Sequence, residues 1–262
     1  MEWIPFTVDQ IQYFLLIFVR ISTVIALLPV FGSAQIPPQI KVAISLLLSV
    51  VLFTSIMSLK PQFPVAFSLG LFVLLVLKEA MVGLAIGFVS TFLFTAVHLA
   101  GQLVDTEMGF GFVEVADPFT DEPITVLGQF QVVIFTILFL LFNGHYFLLL
   151  AIQKSFEIVP LFSAHLPGGQ ESFFVTSMVA KVFVLALRFA APIYVTLILT
   201  EMALGVVART VPQINIFFIG MPLKIVLGLG VMMIVLPNLA RLFKQTIELL
   251  MQDIWKLLYL MA

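Results

Sequence analysis

Carboxylates are the residues of this sequence most suited to chemistry, and they gather in one segment, 101–123, that contains no Lys or Arg. Its acidic residues are Asp105, Glu107, Glu114, Asp117, Asp121 and Glu122. Carboxylate oxygens are ligands for hard cations such as Ca²⁺, but proteins hold such ions with a recognisable ligand spacing that this segment lacks. We therefore expect neither a metal ion nor another cofactor.

The same segment alternates large apolar side chains with glycine at its centre. The residues are Met108, Gly109, Phe110, Gly111 and Phe112. A solvated loop seldom exposes such side chains, whereas glycine frees the backbone to adopt conformations that other residues avoid. We interpret the segment as a plug, in which the Met and Phe side chains block or line a passage and the glycines let the segment move aside.

The sequence contains no motif typical of an enzyme: it has no HExxH, G-x-S-x-G or Walker A pattern and no dinucleotide fingerprint. His98, His145 and His165 are far apart, and an isolated His is more often structural than a ligand. There are no cysteines, which excludes disulfides, thiolate metal ligands and thiol catalysis. We predict that the chain is not an enzyme.

The elements that position these residues belong to a membrane protein. Of the 262 residues, 62% are hydrophobic and 10% are charged, whereas soluble domains average about 25% charged residues. Lipid or partner subunits must cover the apolar surface that remains. The net charge of -2 and the scattered Lys and Arg residues offer no basic surface for nucleic acid.

Apolar runs long enough to span a bilayer, which takes roughly 20 residues, predict an all-α fold. About six such segments are separated by Pro and Gly, and they cover residues 11–31, 40–59, 67–99, 124–142, 173–199 and 214–236. From Arg241 onward a further helix is amphipathic, because apolar residues recur at helical spacing among charged ones. We expect this helix to lie on the membrane surface or to pack on a neighbour.

Charged residues inside or beside the apolar runs indicate helices that face protein. They are Arg20, Lys41, Lys78, Glu79, Lys181, Arg188, Glu201 and Lys224. Each would cost roughly 2.5 to 3.5 kcal/mol at the centre of a bilayer, so we expect most of them to pair or to face protein or water. Pairing is favoured over a transport relay, because only Glu79 and Glu201 supply carboxylates inside the runs.

Two stretches near the carboxyl end are specific enough to carry a family resemblance. Residues 209–217 read Arg-Thr-Val-Pro-Gln-Ile-Asn-Ile-Phe, and residues 220–224 read Gly-Met-Pro-Leu-Lys. Shorter pieces precede them, such as Leu-Pro-Val-Phe-Gly at 28–32 and Asn-Gly-His at 143–145. Over nearly its whole length the sequence resembles the FliR/SctT family, which comprises flagellar FliR proteins and their injectisome counterparts.

This resemblance implies a subunit of the type III protein export gate in the bacterial inner membrane, at the flagellar basal body. Such a subunit is present as one copy with several copies of FliP and FliQ homologues, contacts FlhB and FlhA, and nucleates assembly of the gate. Its substrates are unfolded flagellar proteins. A flagellar system is favoured over an injectisome.

The resemblance also implies an architecture. A FliP-like part covers residues 1–172, and a FliQ-like helical hairpin with the amphipathic tail covers residues 173–262. The whole winds into a closed helical pore that sits largely above the membrane plane. The segment 101–123 matches the region that contributes to plugging this pore, with the same Met and Phe residues blocking and the same glycines as hinges.

Further residues are candidates for subunit contact or assembly, from the charge pattern and the resemblance together. They are Lys181, Arg188, Glu201, Arg209, Pro212, Gln213, Asn215 and Lys224. A purely structural role has equal weight for the turn that contains Pro212 and Asn215, because Pro ends a helix and Asn satisfies backbone groups.

Two other functions stay open at this point. A secondary transporter for a small solute would use internal repeats and helices broken near Pro192 and Pro222, but no convincing inverted repeat is present. A membrane scaffold would have no passage for the Phe and Gly segment to close. Altered leakage on changing that segment would therefore distinguish a conduit from a scaffold.

Overall fold

The chain is helical throughout the part that the structure describes. The computed structural model describes residues 8–33, 35–58, 69–110, 126–163, 169–213 and 215–262, and no strand occurs among them. The helices are α1 (Val8–Leu27), α2 (Pro38–Ser58), α3 (Leu69–Met108), α4 (Val126–Leu141), α5 (Gly144–Ile158), α6 (Gly169–Thr210) and α7 (Ile216–Met261). The predicted all-α class is confirmed.

Five of the described helices, α1, α2, α3, α6 and α7, are long and apolar enough to cross a membrane. The pair α4 and α5 makes a sixth candidate if the two count as one broken span. At 1.5 Å per residue, the 40 residues of α3 extend about 60 Å, and α6 and α7 are longer still. Because the hydrocarbon core of a bilayer is about 30 Å thick, these three helices are longer than a membrane crossing requires.

Two compact units form from interleaved pieces of the chain. The first comprises Met1–Phe92, Asn143–Met178 and Glu248–Ala262, and the second comprises Leu93–Phe142 and Val179–Ile247. Helices α3, α6 and α7 each contribute to both units. The expected division at residue 172 rests on likeness to two other families, and it stays a prediction.

A buried ion pair lies at the core of the first unit. The Arg20 side chain of α1 is completely buried, and its Nε donates to Oε2 of Glu79 on α3 at 2.5 Å. Its Nη1 donates to the carbonyl oxygens of Ser155 and Val159, at 3.0 and 2.9 Å, at the end of α5. The Phe156 ring centroid lies 4.3 Å from the guanidinium carbon. One side chain thus joins three helices and donates to two carbonyl groups at the end of α5.

Close approach of α1 and α3 depends on glycine. A β-carbon at Gly83 would overlap the Thr23 hydroxyl, and one at Gly87 would lie only 2.6 Å from the β-carbon of Leu27. The small-xxx-small pair in α3 therefore packs α3 against α1, as such pairs do in membrane helices. This contact brings the two helices together beside Arg20, whose backbone oxygen also faces Gly83.

Phenylalanine rings fill the core of the second unit. Phe94 of α3, Phe135 and Phe139 of α4, Phe189 of α6 and Phe243 of α7 meet there. The ring centroids of Phe135 and Phe243 are 4.7 Å apart, with the rings edge to face, a geometry that the charge distribution of aromatic rings favours. Part of the high Phe content thus serves packing inside the chain.

The amphipathic tail is part of α7, which continues without a break to Met261. Its apolar stripe is buried within this chain and comprises Phe243, Ile247, Leu250, Ile254, Leu257 and Leu258. Lys256 lies over the Phe174 ring at 5.3 Å, and Lys154 lies over the Trp255 ring at 5.5 Å. Of the two expected placements, packing on a neighbour fits this stripe, because the chain itself supplies the apolar surface that covers it.

Proline residues do not break the long helices. Helix α6 continues through Pro192, and α7 continues through Pro222 and Pro237. The broken helices that a secondary transporter would use near Pro192 and Pro222 are therefore not present at these positions.

We predict that replacing Arg20 by Leu lowers the stability of the folded chain by about 3–5 kcal/mol, because Glu79 would stay buried without its partner. Replacing Arg20 and Glu79 together by Leu should recover a large part of that loss. The midpoint of thermal unfolding in mild detergent measures both effects. Arg241→Leu is the control, since Arg241 is exposed. An Arg20→Leu chain as stable as that control would contradict the prediction.

Candidate functional site

The described part of the plug candidate is the end of α3 and the turn that follows it. Gly109 has a φ of 91°, and the Phe110 and Gly109 amides donate to the carbonyl oxygens of Asp105 and Thr106, at 3.1 and 3.2 Å. These two bonds and a glycine of positive φ form a Schellman motif, which ends a helix. The backbone at Gly109 therefore requires glycine. Gly111 and Phe112 lie outside the described residues.

Asp105 has a structural role that the sequence did not predict. Its side chain is buried, and its carboxylate accepts hydrogen bonds from the amides of Leu127, at 3.0 and 3.1 Å, and Gly128, at 3.2 Å. These amides belong to the first turn of α4, where backbone N–H groups lack partners within the helix. Asp105 thus caps α4 from a distance, and its negative charge also suits the positive end of the helix dipole.

A second contact holds α3 and α4 together. A β-carbon at Gly101 would overlap the α-carbon of Gly128, so the two backbones touch. Contacts at Gly101 and Asp105 therefore bring the end of α3 and the start of α4 side by side. Both ends of the segment that separates these helices are fixed within the second unit.

Met108 is buried rather than free at the end of α3. Its side chain has no exposed surface, and its Sδ and Cγ lie 3.2 and 3.3 Å from the place that a β-carbon on Gly228 of α7 would occupy. The Met221 side chain faces Gly109 in the same way, with Cγ at 3.3 Å. Of the described plug candidates, Met108 is thus buried against α7, whereas Gly109 and Phe110 are only half-buried.

Polar side chains surround a cavity beside this turn. Lys224 Nζ of α7 donates to Oε2 of Glu201 on α6 at 3.0 Å, and the Glu107 side chain of α3 lies close to the Tyr194 side chain of α6. The cavity has a volume of about 480 Å³, and its lining includes Glu107, Met108, Glu201 and Lys224. No group of metal-ligating side chains suited to an ion occurs in the described ranges. The carboxylates here bind partners within the chain.

The candidates for subunit contact separate into two groups. Glu201 and Lys224 pair with each other. The others are exposed and comprise Lys181, Arg188, Arg209, Pro212, Gln213 and Asn215. Pro212 and Gln213 form the turn between α6 and α7, and the Phe218 amide donates to the Asn215 carbonyl at the start of α7, at 3.2 Å. The roles of these residues at a subunit contact stay predictions.

Sequence reasoning missed the roles of Asp105 and Gly228. Asp105 was grouped with the other acidic residues of the segment. Aspartate is a residue type that caps the N-terminus of a helix, and an apolar helix follows this segment. Gly228 was not among the candidate residues. No feature of the sequence identified Met108 as the side chain that fills the space beside it.

We predict that Asp105→Ala weakens the start of α4 by about 1–2 kcal/mol, because two amides lose their charged acceptor. Amide hydrogen exchange at Leu127 and Gly128 should become faster, whereas exchange at the buried centre of α4 should change little. Thr106→Ala is the control, since Thr106 is exposed and its hydroxyl bonds only within its own helix. Unchanged exchange in the Asp105→Ala chain would contradict the capping role.

Comparison with known proteins gives one consistent result. The family model of "Bacterial export proteins, family 1" matches residues 11–250. The chain is 36% identical over 223 residues to the flagellar biosynthetic protein FliR of Bacillus subtilis (strain 168), covering 83% of each chain. It is 28% identical over 236 residues to FliR of Escherichia coli (strain K12), covering 88% of each. It is also 29% identical over 234 residues to the surface presentation of antigens protein SpaR of Shigella sonnei, covering 86% of this chain and 87% of the relative. Because the family model covers most of the sequence and the first relative exceeds 30% identity, the chain belongs to the FliR/SctT family of bacterial export proteins.

Proposed function

We propose that this chain is the FliR-type subunit of a flagellar type III export gate, where it helps to form and close the pore and nucleates the assembly of the gate. The observation that carries the proposal is the family match over residues 11–250. Membership of this family makes the chain a component of a type III export apparatus. Unfolded flagellar proteins are the proposed substrates, and the bacterial inner membrane at the flagellar basal body is the proposed location.

Exposed apolar surface on the longest helices supports an assembly with other subunits. Met202 and Val206 of α6 and Met233 and Ile234 of α7 are each more than 60% exposed. Because α6 and α7 are longer than a bilayer is thick, lipid alone does not cover them from end to end. In our proposal, FliP and FliQ homologues cover these faces, FlhB and FlhA also contact the gate, and much of the complex stands above the membrane plane.

Closure of the pore is assigned to the segment 101–123. Asp105 and the glycine pair at 101 and 128 fix its two ends, and the Schellman motif turns the chain away from the axis of α3 immediately before Phe110. The apolar Phe110 and Phe112 side chains then obstruct the passage. The chain acts as conduit and scaffold, without catalysis or a cofactor of its own.

The assembly is tested by co-expressing the chain with its genomic neighbours and weighing the complex by native mass spectrometry after extraction in mild detergent. We expect one copy of this chain with several copies of two smaller hydrophobic proteins. Lys181→Leu should lower the yield of that complex several-fold, because the substitution removes an exposed cation that we assign to a subunit contact. Lys244→Leu, at another exposed lysine, should leave the yield unchanged. A stable monomer or homodimer would contradict the gate.

The plug is tested by replacing Phe110 and Phe112 together by Ala. Removal of two rings should raise the leakage of ions and small solutes across the inner membrane, since an apolar obstruction works by excluding water. Phe183→Ala is the control, because Phe183 is 57% exposed on α6. Leakage is measured as the decay of the membrane potential in cells that express the assembled gate. The same low leakage in both variants would overturn the plug.

A further inference from the structure

Met108 and Gly228 make a contact in which one residue leaves the space that the other fills. Met108 is the last residue of α3 and is fully buried. A β-carbon at Gly228 would overlap the methyl group of Met108. The end of the Met108 side chain thus fills the space that glycine leaves at position 228, and a side chain there would have to displace it.

Other glycines show that this fit is local. A β-carbon at Gly230, two residues further along α7, would meet nothing within 4 Å, and the same is true at Gly205 on α6. Glycine is a poor helix former wherever it occurs inside a helix, so its presence at 228 and at 230 costs helix stability in the same way. Only at 228 does a neighbouring side chain occupy the vacant space.

The helices α6 and α7 hold the residues on both sides of Met108 as well. The Tyr194 side chain of α6 lies close to Glu107, and the Met221 side chain faces Gly109. Met221 and Gly228 are seven residues apart, which places them two turns apart on one face of α7. Each of the residues 107, 108 and 109 thus lies against α6 or α7: Glu107 beside Tyr194, Met108 at Gly228, and Gly109 beside Met221.

We propose that Gly228 is a positioning residue for closure of the gate. The space at Gly228 that Met108 fills, here called the seat of Met108, fixes where the chain leaves α3 toward Phe110. The inference rests on the proposed function, since it assumes that the segment after Met108 closes a passage. It adds that the α6–α7 hairpin sets the position of the plug through this seat. A displacement of α7 at Gly228 would then release the end of α3.

The functional test uses Gly228→Ala, with Gly230→Ala as the matched control on the same helix. Insertion of a methyl group into a filled space displaces its neighbour, so Gly228→Ala should raise leakage across the inner membrane about tenfold, whereas Gly230→Ala should leave it at the wild-type level. Met108→Ala removes Cγ, Sδ and Cε of Met108, so in combination with Gly228→Ala it frees the space that the added methyl group needs. This double variant should leak less than Gly228→Ala alone.

The contact itself is tested by a disulfide. The chain contains no cysteine, so a chain with Met108→Cys and Gly228→Cys has two thiols of its own. Met108 Cγ, whose place the sulfur of a Met108→Cys side chain would take, lies 3.3 Å from the β-carbon position of Gly228, and in a disulfide each sulfur lies about 3 Å from the β-carbon of the other residue. Mild oxidation of the assembled complex should link these two positions and leave Met108→Cys with Gly230→Cys unlinked. Peptide mass spectrometry detects the link, and its absence would overturn the seat.

The outcomes separate the seat from the plug. If Phe110 and Phe112 replaced by Ala cause leakage but Gly228→Ala does not, the plug stands and the positioning role of Gly228 is overturned. If neither variant leaks, the proposed closure fails and the role of Gly228 fails with it. If Gly228→Ala prevents assembly, the double variant with Met108→Ala decides: restored assembly supports the contact, and no restoration overturns it.

Discussion

The guanidinium of Arg20 determines how the helices of the first unit fit together. A guanidinium holds its N–H donors in a fixed planar arrangement, so its surroundings must supply acceptors from fixed directions. Glu79 supplies an opposite charge from α3, and the end of α5 supplies two carbonyl oxygens. Since all three helices must lie within hydrogen-bonding distance of one group, their register relative to each other is restricted far more than apolar packing alone would restrict it.

Directional contacts matter more in this chain than in an average domain. Apolar helices gain little from burial against each other when lipid is the alternative, and an apolar surface fits several neighbours almost equally well. The few polar contacts and the few close glycine contacts therefore define which arrangement forms. In the second unit, Asp105 at the first turn of α4 and Gly101 against Gly128 have this role.

The fold class followed from the sequence because a bilayer imposes a length and a composition on every helix that crosses it. The approximate number of apolar segments and the continuation of helical spacing beyond Arg241 followed for the same reason. What covers the tail did not follow, since periodicity identifies an apolar face but not the surface that packs on it. The sequence also showed charges in apolar runs, but it did not show that Arg20 pairs with Glu79 across 59 positions, whereas Glu201 pairs with Lys224.

The sequence predicted the part of the candidate site that depends on backbone conformation. It did not predict the part that depends on packing between distant residues. Gly109 stood out because large side chains flank it, and the structure gives it a positive φ at the end of α3. Met108 is of a type suited to blocking a passage, yet its burial depends on a vacancy on a helix more than a hundred residues later. A contact of this kind requires a large residue to meet a small one. A single sequence shows both residues but does not show that they meet. The position of the end of α3 therefore depends on residues of α6 and α7, and the short stretch around Met108 does not contain them.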